Sequence, residues 1–135
     1  METLRIKTRK ERDVVDITDA VQKALTRHPP RGEVVHLFVK HTTAALTTVP
    51  LRAIDGLDLV GRVEATVHHP SHPRHGMGGY SHYMMHLPAA VIAAHIGASL
   101  AVPVKRGKLS LGRFQRVVLL EFEGPGVREV AVISE

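Results

Sequence analysis

The stretch EVVHLFVKHTTAALTT, residues 33–48, decides the fold. Its first nine residues alternate between the two faces of an extended chain. One face carries Val35, Leu37, Val39 and His41, and the other carries Val34, His36, Phe38 and Lys40. Because both faces are largely apolar, the pattern predicts a strand over Glu33–His41 at the centre of a sheet. Residues 42–48, rich in threonine, predict a second strand or a bent extension of the first, which Pro50 stops.

The rest of the chain predicts a mixture of strands and helices. The predicted strands are Leu4–Thr8, Ser99–Val104, Leu109–Leu111, Arg113–Glu121 and Val127–Ser134. The predicted helices run from an N-cap at Asp16 or Thr18 to His28, over residues 53–66, and from Pro88 to Ile96 with Gly97 after the end. Residues 69–80 hold two prolines and three glycines and predict an irregular loop. This order predicts one α+β domain over residues 1–135 with a mostly antiparallel sheet.

The composition is that of a globular protein without covalent cross-links. Hydrophobic residues make up 44% of the 135 residues, and the absence of cysteine excludes disulfides and thiolate metal sites. The first five residues contain no apolar signal-peptide core. The most apolar stretch, residues 89–104, is interrupted by His95 and Pro103 and is too short to span a bilayer. We therefore expect a soluble, cytoplasmic protein that does not enter membranes.

The charge balance favours anionic partners. The formal net charge is +5 and the sequence pI is about 10.0, which suits phosphates or other anions. At the N-terminus Arg5, Lys7 and Arg9 alternate with Leu4, Ile6 and Thr8, a pattern typical of a strand with one solvated face. With only two Tyr and three Phe, the chain offers few platforms on which bases could stack, which argues against nucleic acid as a partner.

Histidines are concentrated in one part of the chain. Seven of the ten lie between residues 68 and 95: His68, His69, His72, His75, His82, His86 and His95. Histidine binds metals, shuttles protons and binds anions near neutral pH. The first four of this group are best interpreted as residues of a solvated loop. His82 and His86 are four residues apart, a ligand spacing on a helix, but Pro88 indicates that the helix begins after them.

His41 is the histidine with the clearest structural context. At the end of an apolar strand it must be either a hydrogen-bonded core residue or a side chain at the rim of a cavity. Thr42 and Thr43, which follow it, offer hydroxyls to an anion or to His41 itself.

Two carboxylates near the C-terminus are a further candidate feature. Glu121 and Glu123 share a strand face with Val117 and Leu119, where they would serve as ligands or bases, or pair with Arg113, Arg116 or Arg128. We expect pairing.

Three motifs resemble those of the YjbQ family, the secondary thiamine-phosphate synthase-like proteins. HTTAALT at residues 41–47 resembles the family signature of the same letters. Residues 99–104 (SLAVPV) and 107–115 (GKLSLGRFQ) resemble its S-L-x-[IV]-P-[IV] and G-x-[LI]-x-L-G-T-W-Q block, and residues 121–125 (EFEGP) resemble its E-F-D-G-P. The resemblance implies an α+β fold built on a small β-sandwich of mostly antiparallel strands with two or three helices. It also implies a homotrimer, with a histidine-lined pocket for a metal or an anion near the subunit interfaces.

This chain departs from the family pattern at several polar positions. Val49-Pro50 stands where the family continues with Asn-Glu, and Tyr80-Ser81-His82-Tyr83 keeps the histidine of Tyr-x-His-Asp but not the Asp. Ala90 stands where the family has a histidine early in the last helix. We expect His86, just before that helix, to compensate in part, and we expect His82 to approach His41 in space.

Two functions follow from the resemblance. In the first, the protein has the weak thiamine-phosphate synthase activity credited to some members. His41 and His82 would then be catalytic, His41, His82 and His86 would hold a divalent metal (Zn or Mg) or the diphosphate, and Thr42, Thr43 and Arg113 would bind the ligand. Lys105 or Arg106 would serve beside Arg113 in neutralising the leaving group. In the second, the same pocket of a non-catalytic trimer binds a metal or a small phosphorylated molecule.

Overall fold

The computed structural model describes residues 1–54, 59–67 and 87–134. The strands are β1 (Glu2–Thr8), β2 (Asp13–Asp16), β3 (Val34–Val39), β4 (Ala44–Pro50), β5 (Ser99–Lys105), β6 (Lys108–Leu109), β7 (Gln115–Glu121) and β8 (Gly126–Ser134). The helices are α1 (Thr18–Arg27), α2 (Leu59–Val67) and α3 (Leu87–Ile96), with a short 3₁₀ turn at Leu51–Ala53. The α+β fold with antiparallel sheets and helices is therefore confirmed.

The described strands form two sheets. The larger sheet has the order β1-β8-β3-β5-β6 and the smaller has the order β2-β7-β4, and every pairing between these described strands is antiparallel. β3 lies third of five, between β8 and β5, so its prediction as a central strand is confirmed. Its two apolar faces have different surroundings: Val35, Leu37 and Val39 are buried, whereas Val34, His36 and Phe38 are exposed.

The core has two layers. The first lies between the two sheets and is closed by α1, which contributes Val21, Ala24 and Leu25. The second lies between the outer face of the smaller sheet and helices α2 and α3, and includes Val118, Leu120, Phe122, Val60 and Ile92. β7 supplies both layers because alternate side chains of a strand point to opposite faces. The chain thus stacks as sheet, sheet and helices.

The structure corrects the predicted start of the first helix. The segment beginning at Asp13 forms the four-residue strand β2, and α1 begins only at Thr18. Neither predicted residue is the N-cap; Ile17 occupies that position and makes no side-chain cap bond. Ile17 is 1% exposed and lies in the core, and full burial of an Ile is worth about 1.5–3 kcal/mol, more than the ~1 kcal/mol of a typical cap. The carboxylate of Asp16 instead accepts from the backbone N and the hydroxyl of Thr18.

Other boundaries differ by smaller amounts. β3 ends at Val39, so His41 lies in the connection to β4 rather than within the strand. β4 includes Pro50 as its last residue, which is tolerated because β4 is an edge strand. The single helix predicted over residues 53–66 is instead the 3₁₀ turn and α2, with residues 55–58 outside the described ranges. Helix α3 is confirmed, and Gly97 after its end has φ +112°.

Candidate functional site

Three connections between the sheets lie together at one end of the sandwich, which we call the His41 end. They join β1 to β2, β3 to β4 and β7 to β8. The backbone N of Phe122 donates to Thr43 O at 3.0 Å, and the backbone N of Gly124 donates to Glu11 O at 2.7 Å. These bonds tie all three connections to one another, so the side chains that they carry are held in a fixed arrangement.

His41 is oriented by the main chain of β8. Its Nε2 accepts a hydrogen bond from the backbone N–H of Glu129 at 3.1 Å, and the backbone N of Lys40 donates to Glu129 O at 3.0 Å. Because a backbone N–H can only donate, Nε2 is the unprotonated nitrogen and the proton of the neutral ring is on Nδ1. Among the described residues, none accepts a hydrogen bond from Nδ1. His41 is thus both a hydrogen-bonded residue and a donor available to a ligand.

His41 lines a cleft of about 480 Å³ at this end. The cleft is walled mainly by apolar side chains from β3, β4, α3 and the connection from α3 to β5: Phe38, Val39, Ala44, Ala93, Ala94 and Ala98. Its polar edge is formed by Lys40, His41 and Thr42. Of the described residues that line it, Lys40 alone carries a formal charge. This arrangement suits a ligand with a small apolar body and an anionic group.

The other predicted ligand-binding residues are divided between the two ends. Thr42 is exposed and lines the cleft, whereas Thr43 is half-buried and uses its carbonyl to hold Phe122. Arg113 follows β6 near the end of β4, where Pro50 pairs with Gln115. β4 rises about 3.3 Å per residue, so that position is roughly 20 Å from Ala44. Within one chain the structure does not bring Arg113 to His41.

Lys105 and Arg106 also lie away from His41. Lys105 is the last residue of β5, and Arg106 lies in the turn that leads to β6. Both follow Pro103, which pairs with Val34 at the start of β3. The three basic residues expected to neutralise a leaving group therefore lie at the opposite end of the sandwich from His41.

The histidines of the central stretch are only partly described. His82 and His86, with His68, His69, His72 and His75, lie outside the described residues, so their predicted roles are untested. Ala90 lies half-buried in α3. His95, on the same helix, is exposed and contacts the carbonyl of Val91 through Nδ1 at 2.8 Å. It is tied to its own helix.

His41 does not fit a metal ion in the orientation that it has here. A metal binds a ring nitrogen through its lone pair, but the Nε2 lone pair accepts the Glu129 N–H and Nδ1 carries the proton. Within residues 1–54, 59–67 and 87–134, no group of three His, Asp or Glu side chains is arranged to hold a metal ion.

A buried ion pair lies beside the site, and its pairing was expected from the sequence. Glu121 is completely buried, and its Oε1 accepts from Arg128 Nε at 2.6 Å and from the hydroxyl of Thr8 at 2.8 Å. Arg116 is engaged elsewhere, with Asp16 at 2.7 Å. Sequence reasoning missed Thr8, although its place on the same strand face as the apolar Leu4 and Ile6 marks it as a buried polar residue.

Sequence reasoning also missed the Glu129 amide and the alanines of α3. The amide carries no side-chain signal. The alanines do have one, since Ala93 and Ala94 belong to a helix whose residues are apolar on all sides, as expected for a helix covered on more than one face. In the described residues no helix is long and apolar enough to cross a membrane.

Comparisons with known proteins agree with this architecture. A family model described as "UPF0047 protein YjbQ-like" matches residues 2–134. A UPF0047 protein of Archaeoglobus fulgidus is 35% identical over 133 residues, with 96% of each chain covered. Two similar crystal structures each cover 100% of both chains. One, an uncharacterised YjbQ/UPF0047 protein of Clostridium acetobutylicum, has 27% identity and a TM-score of 0.82; the other, a conserved hypothetical protein of Thermus thermophilus, has 35% identity and a TM-score of 0.76. The chain belongs to the YjbQ (UPF0047) family.

Proposed function

We propose that this protein binds a small phosphorylated molecule in the cleft at His41 and does so as a homotrimer. The observation that carries the proposal is the hydrogen bond from the Glu129 amide to His41 Nε2, which leaves the ring with a donor at Nδ1. Hydrogen bonds to an ionised acceptor are about twice as strong as those between neutral groups, so a phosphate oxygen is a favourable partner for this donor.

The walls of the cleft define the rest of the ligand. Alanine side chains and Phe38 offer a flat apolar surface to a small ring, while Lys40 and the Thr42 hydroxyl lie at the edge beside His41. A phosphorylated heteroaromatic ring combines the two features. Its ring would contact the alanines, and its phosphate would accept from His41, Thr42 and Lys40.

Binding of a divalent metal by His41, His82 and His86 is the competing proposal. It requires His41 to release the Glu129 N–H, or to lose the proton on Nδ1, before either nitrogen has a free lone pair. Metal analysis of protein purified without chelator distinguishes the two proposals. A stoichiometric Zn or Mg that is lost in His41→Gln would favour the metal.

The catalytic version of the proposal is thiamine-phosphate synthesis. A thiazole phosphate nitrogen would displace diphosphate from the methylene carbon of a pyrimidine diphosphate, and the departing diphosphate would keep the bonding electron pair. Among the described residues that line the cleft, Lys40 is the charged one. Arg113, Lys105 and Arg106 lie at the opposite end of the sandwich. We therefore place binding first; coupling activity above that of a His41→Gln variant would add catalysis.

The test of binding is a titration with inorganic phosphate and with a thiazole phosphate, followed by calorimetry. His41→Gln should weaken binding about tenfold or more, the loss expected for one hydrogen bond to a charged group. His41→Asn should lose less, because an Asn amide nitrogen lies close to the position of Nδ1 whereas that of Gln lies close to Nε2. His28→Gln, at an exposed histidine after the end of α1, is the matched control and should bind as wild type. Equal affinity in all three variants would refute the proposal.

The outer face of the larger sheet supports the homotrimer. Val34 and Phe38 on β3 are 39% and 45% exposed, and Ala101 and Pro103 on the paired strand β5 are exposed beside them. Contiguous apolar surface of this kind marks protein–protein contact. Light scattering should give three times the chain mass of 14.8 kDa. Val34→Glu should lower that mass, and Leu51→Glu, at a residue 47% exposed elsewhere, should not. A monomeric wild type would contradict the trimer.

A further inference from the structure

The buried ion pair of Glu121 and Arg128 calls for a physical reason. Glu121 has no exposed surface, and the Arg128 side chain is 15% exposed. Taking two charges out of water is costly, and a buried pair often stabilises a protein no better than apolar residues would. Such a pair can instead fix one conformation, which directs attention to what Arg128 holds in place.

Both partners are held by more than their own contact. Thr8 donates its hydroxyl proton to Glu121 and accepts from the backbone N of Gly126 at 3.0 Å. Arg128 donates a second time, from Nη2 to Glu123 O at 3.2 Å. Two donors on one guanidinium restrain its direction as well as its distance. The start of β8 is therefore held against β7 and against the turn between them.

Arg128 is joined through one peptide bond to the group that orients His41. The N–H that His41 Nε2 accepts belongs to the peptide between Arg128 and Glu129. Anchoring the Arg128 side chain therefore restrains the plane of that peptide. A continuous path of contacts runs from the buried Glu121 through Arg128 to the ring of His41.

We infer that Glu121 is a positioning residue that, through Arg128, keeps the Glu129 N–H on His41 Nε2 and so keeps the His41 proton on Nδ1. This inference rests on the proposed function for its consequence, because Nδ1 is the donor offered to the phosphate. It goes beyond that function by assigning the orientation of the ring to a carboxylate that touches neither the ring nor the ligand.

The experiment reads the His41 tautomer directly. Imidazole nitrogen shifts are measured by NMR over a pH series that extends to where the ring is neutral, and the His41 signals are identified by their loss in His41→Gln. Wild type should show Nδ1 protonated and a coupling across the hydrogen bond between the Glu129 amide nitrogen and His41 Nε2. Glu121→Gln should lose that coupling, shift the proton towards Nε2, and weaken phosphate binding by about tenfold, the loss expected when one hydrogen bond to a charged group is removed.

Asp16→Asn is the matched control. It removes a partly buried carboxylate bound to Arg116, on a strand beside β7 and about 10 Å along it from Glu121. Its His41 signals should match those of wild type, which separates positioning from a general loss of stability.

Each outcome decides the inference. If Glu121→Gln does not fold, Arg128→Lys serves, because lysine keeps the charge but cannot make the two directed bonds. A His41 tautomer unchanged in a folded variant, or a wild type without the coupling to Glu129, would overturn the inference. The His41 tautomer can be measured without a ligand. If Glu121→Gln changes the tautomer but the wild-type protein binds no phosphate, the proposed function is refuted and the inference is not.

Discussion

The two ends of the sandwich are built differently. At the His41 end, three connections are bonded to one another and a buried ion pair lies behind them. At the opposite end, Arg113 lies over the ring of Phe114 at 5.2 Å, and Phe114 is 62% exposed. One end holds polar groups in fixed directions, and the other presents basic and aromatic groups to solvent. We therefore place the proposed ligand site at the first end, although more of the basic candidates lie at the second.

The largest expected difference between the two ends is in packing. A Cβ on Gly124 would overlap the carbonyl oxygen of Lys10 and lie 2.9 Å from Glu121 Cγ, and the backbone oxygen cannot move aside. Gly124→Ala should destabilise the protein by about 3 kcal/mol. At the opposite end a Cβ on Gly112 would meet Gln115 Oε1 at 3.4 Å, an ordinary contact, so Gly112→Ala should change stability by less than about 1 kcal/mol. Urea unfolding at one protein concentration compares them; equal losses would remove the contrast.

A second, smaller expected effect is the dependence of protein stability on pH through Asp16. Burial acts to raise the pKa of Asp16, but hydrogen bonds from Thr18 and Arg116 outweigh it, so the pKa lies below its ordinary value. A lowered folded-state pKa contributes stability that is present above the unfolded value of about 3.9 and is lost as the pH falls through the folded value. Asp16→Asn should therefore lower the free energy of unfolding by about 1 kcal/mol at pH 7, and the difference in this free energy from wild type should narrow near pH 3. Unfolding at both pH values checks this; a gap that widens in acid would contradict it.

The smallest expected effect compares one cation from each end. Lys40→Gln should weaken phosphate binding about twofold to threefold, because an exposed charge beside the cleft contributes little. The loss should shrink as salt is added. Arg113→Gln should leave the affinity unchanged, since Arg113 lies at the far end of β4. A larger loss of phosphate affinity in Arg113→Gln than in Lys40→Gln would contradict this prediction. It would indicate that the opposite end of a neighbouring subunit contributes to the site.

The fold was predictable because its signals are local and repeated. The alternation in residues 33–39 places β3 at the centre of its sheet, and Pro88 and Gly97 bracket α3. The misplaced start of α1 has the opposite cause. Asp16 and Thr18 have the chemistry of caps, but the burial of Ile17 between them decided where the helix begins. Tertiary packing outweighed a local preference.

The site was predictable only in part. Glu121 was expected to pair with an arginine, and it pairs with Arg128. His41 was expected to be hydrogen-bonded or at the rim of a cavity, and both descriptions apply; its catalytic and ligand-binding roles stay predictions. The grouping of Arg113 with His41 does not hold within one chain, because motif order along the sequence gives no distance between the two ends of a strand. The roles of His82 and His86 stay predictions.

The hydrogen bond to His41 has a consequence for how this site can change over evolution. Its donor is the main chain of residue 129, not the Glu side chain. Every amino acid except proline supplies the same N–H, so position 129 can drift freely while the ring keeps its orientation. A comparison of side chains across relatives would therefore give no sign of the group that sets the chemistry of His41. Proline is the one residue that we expect to be absent at position 129.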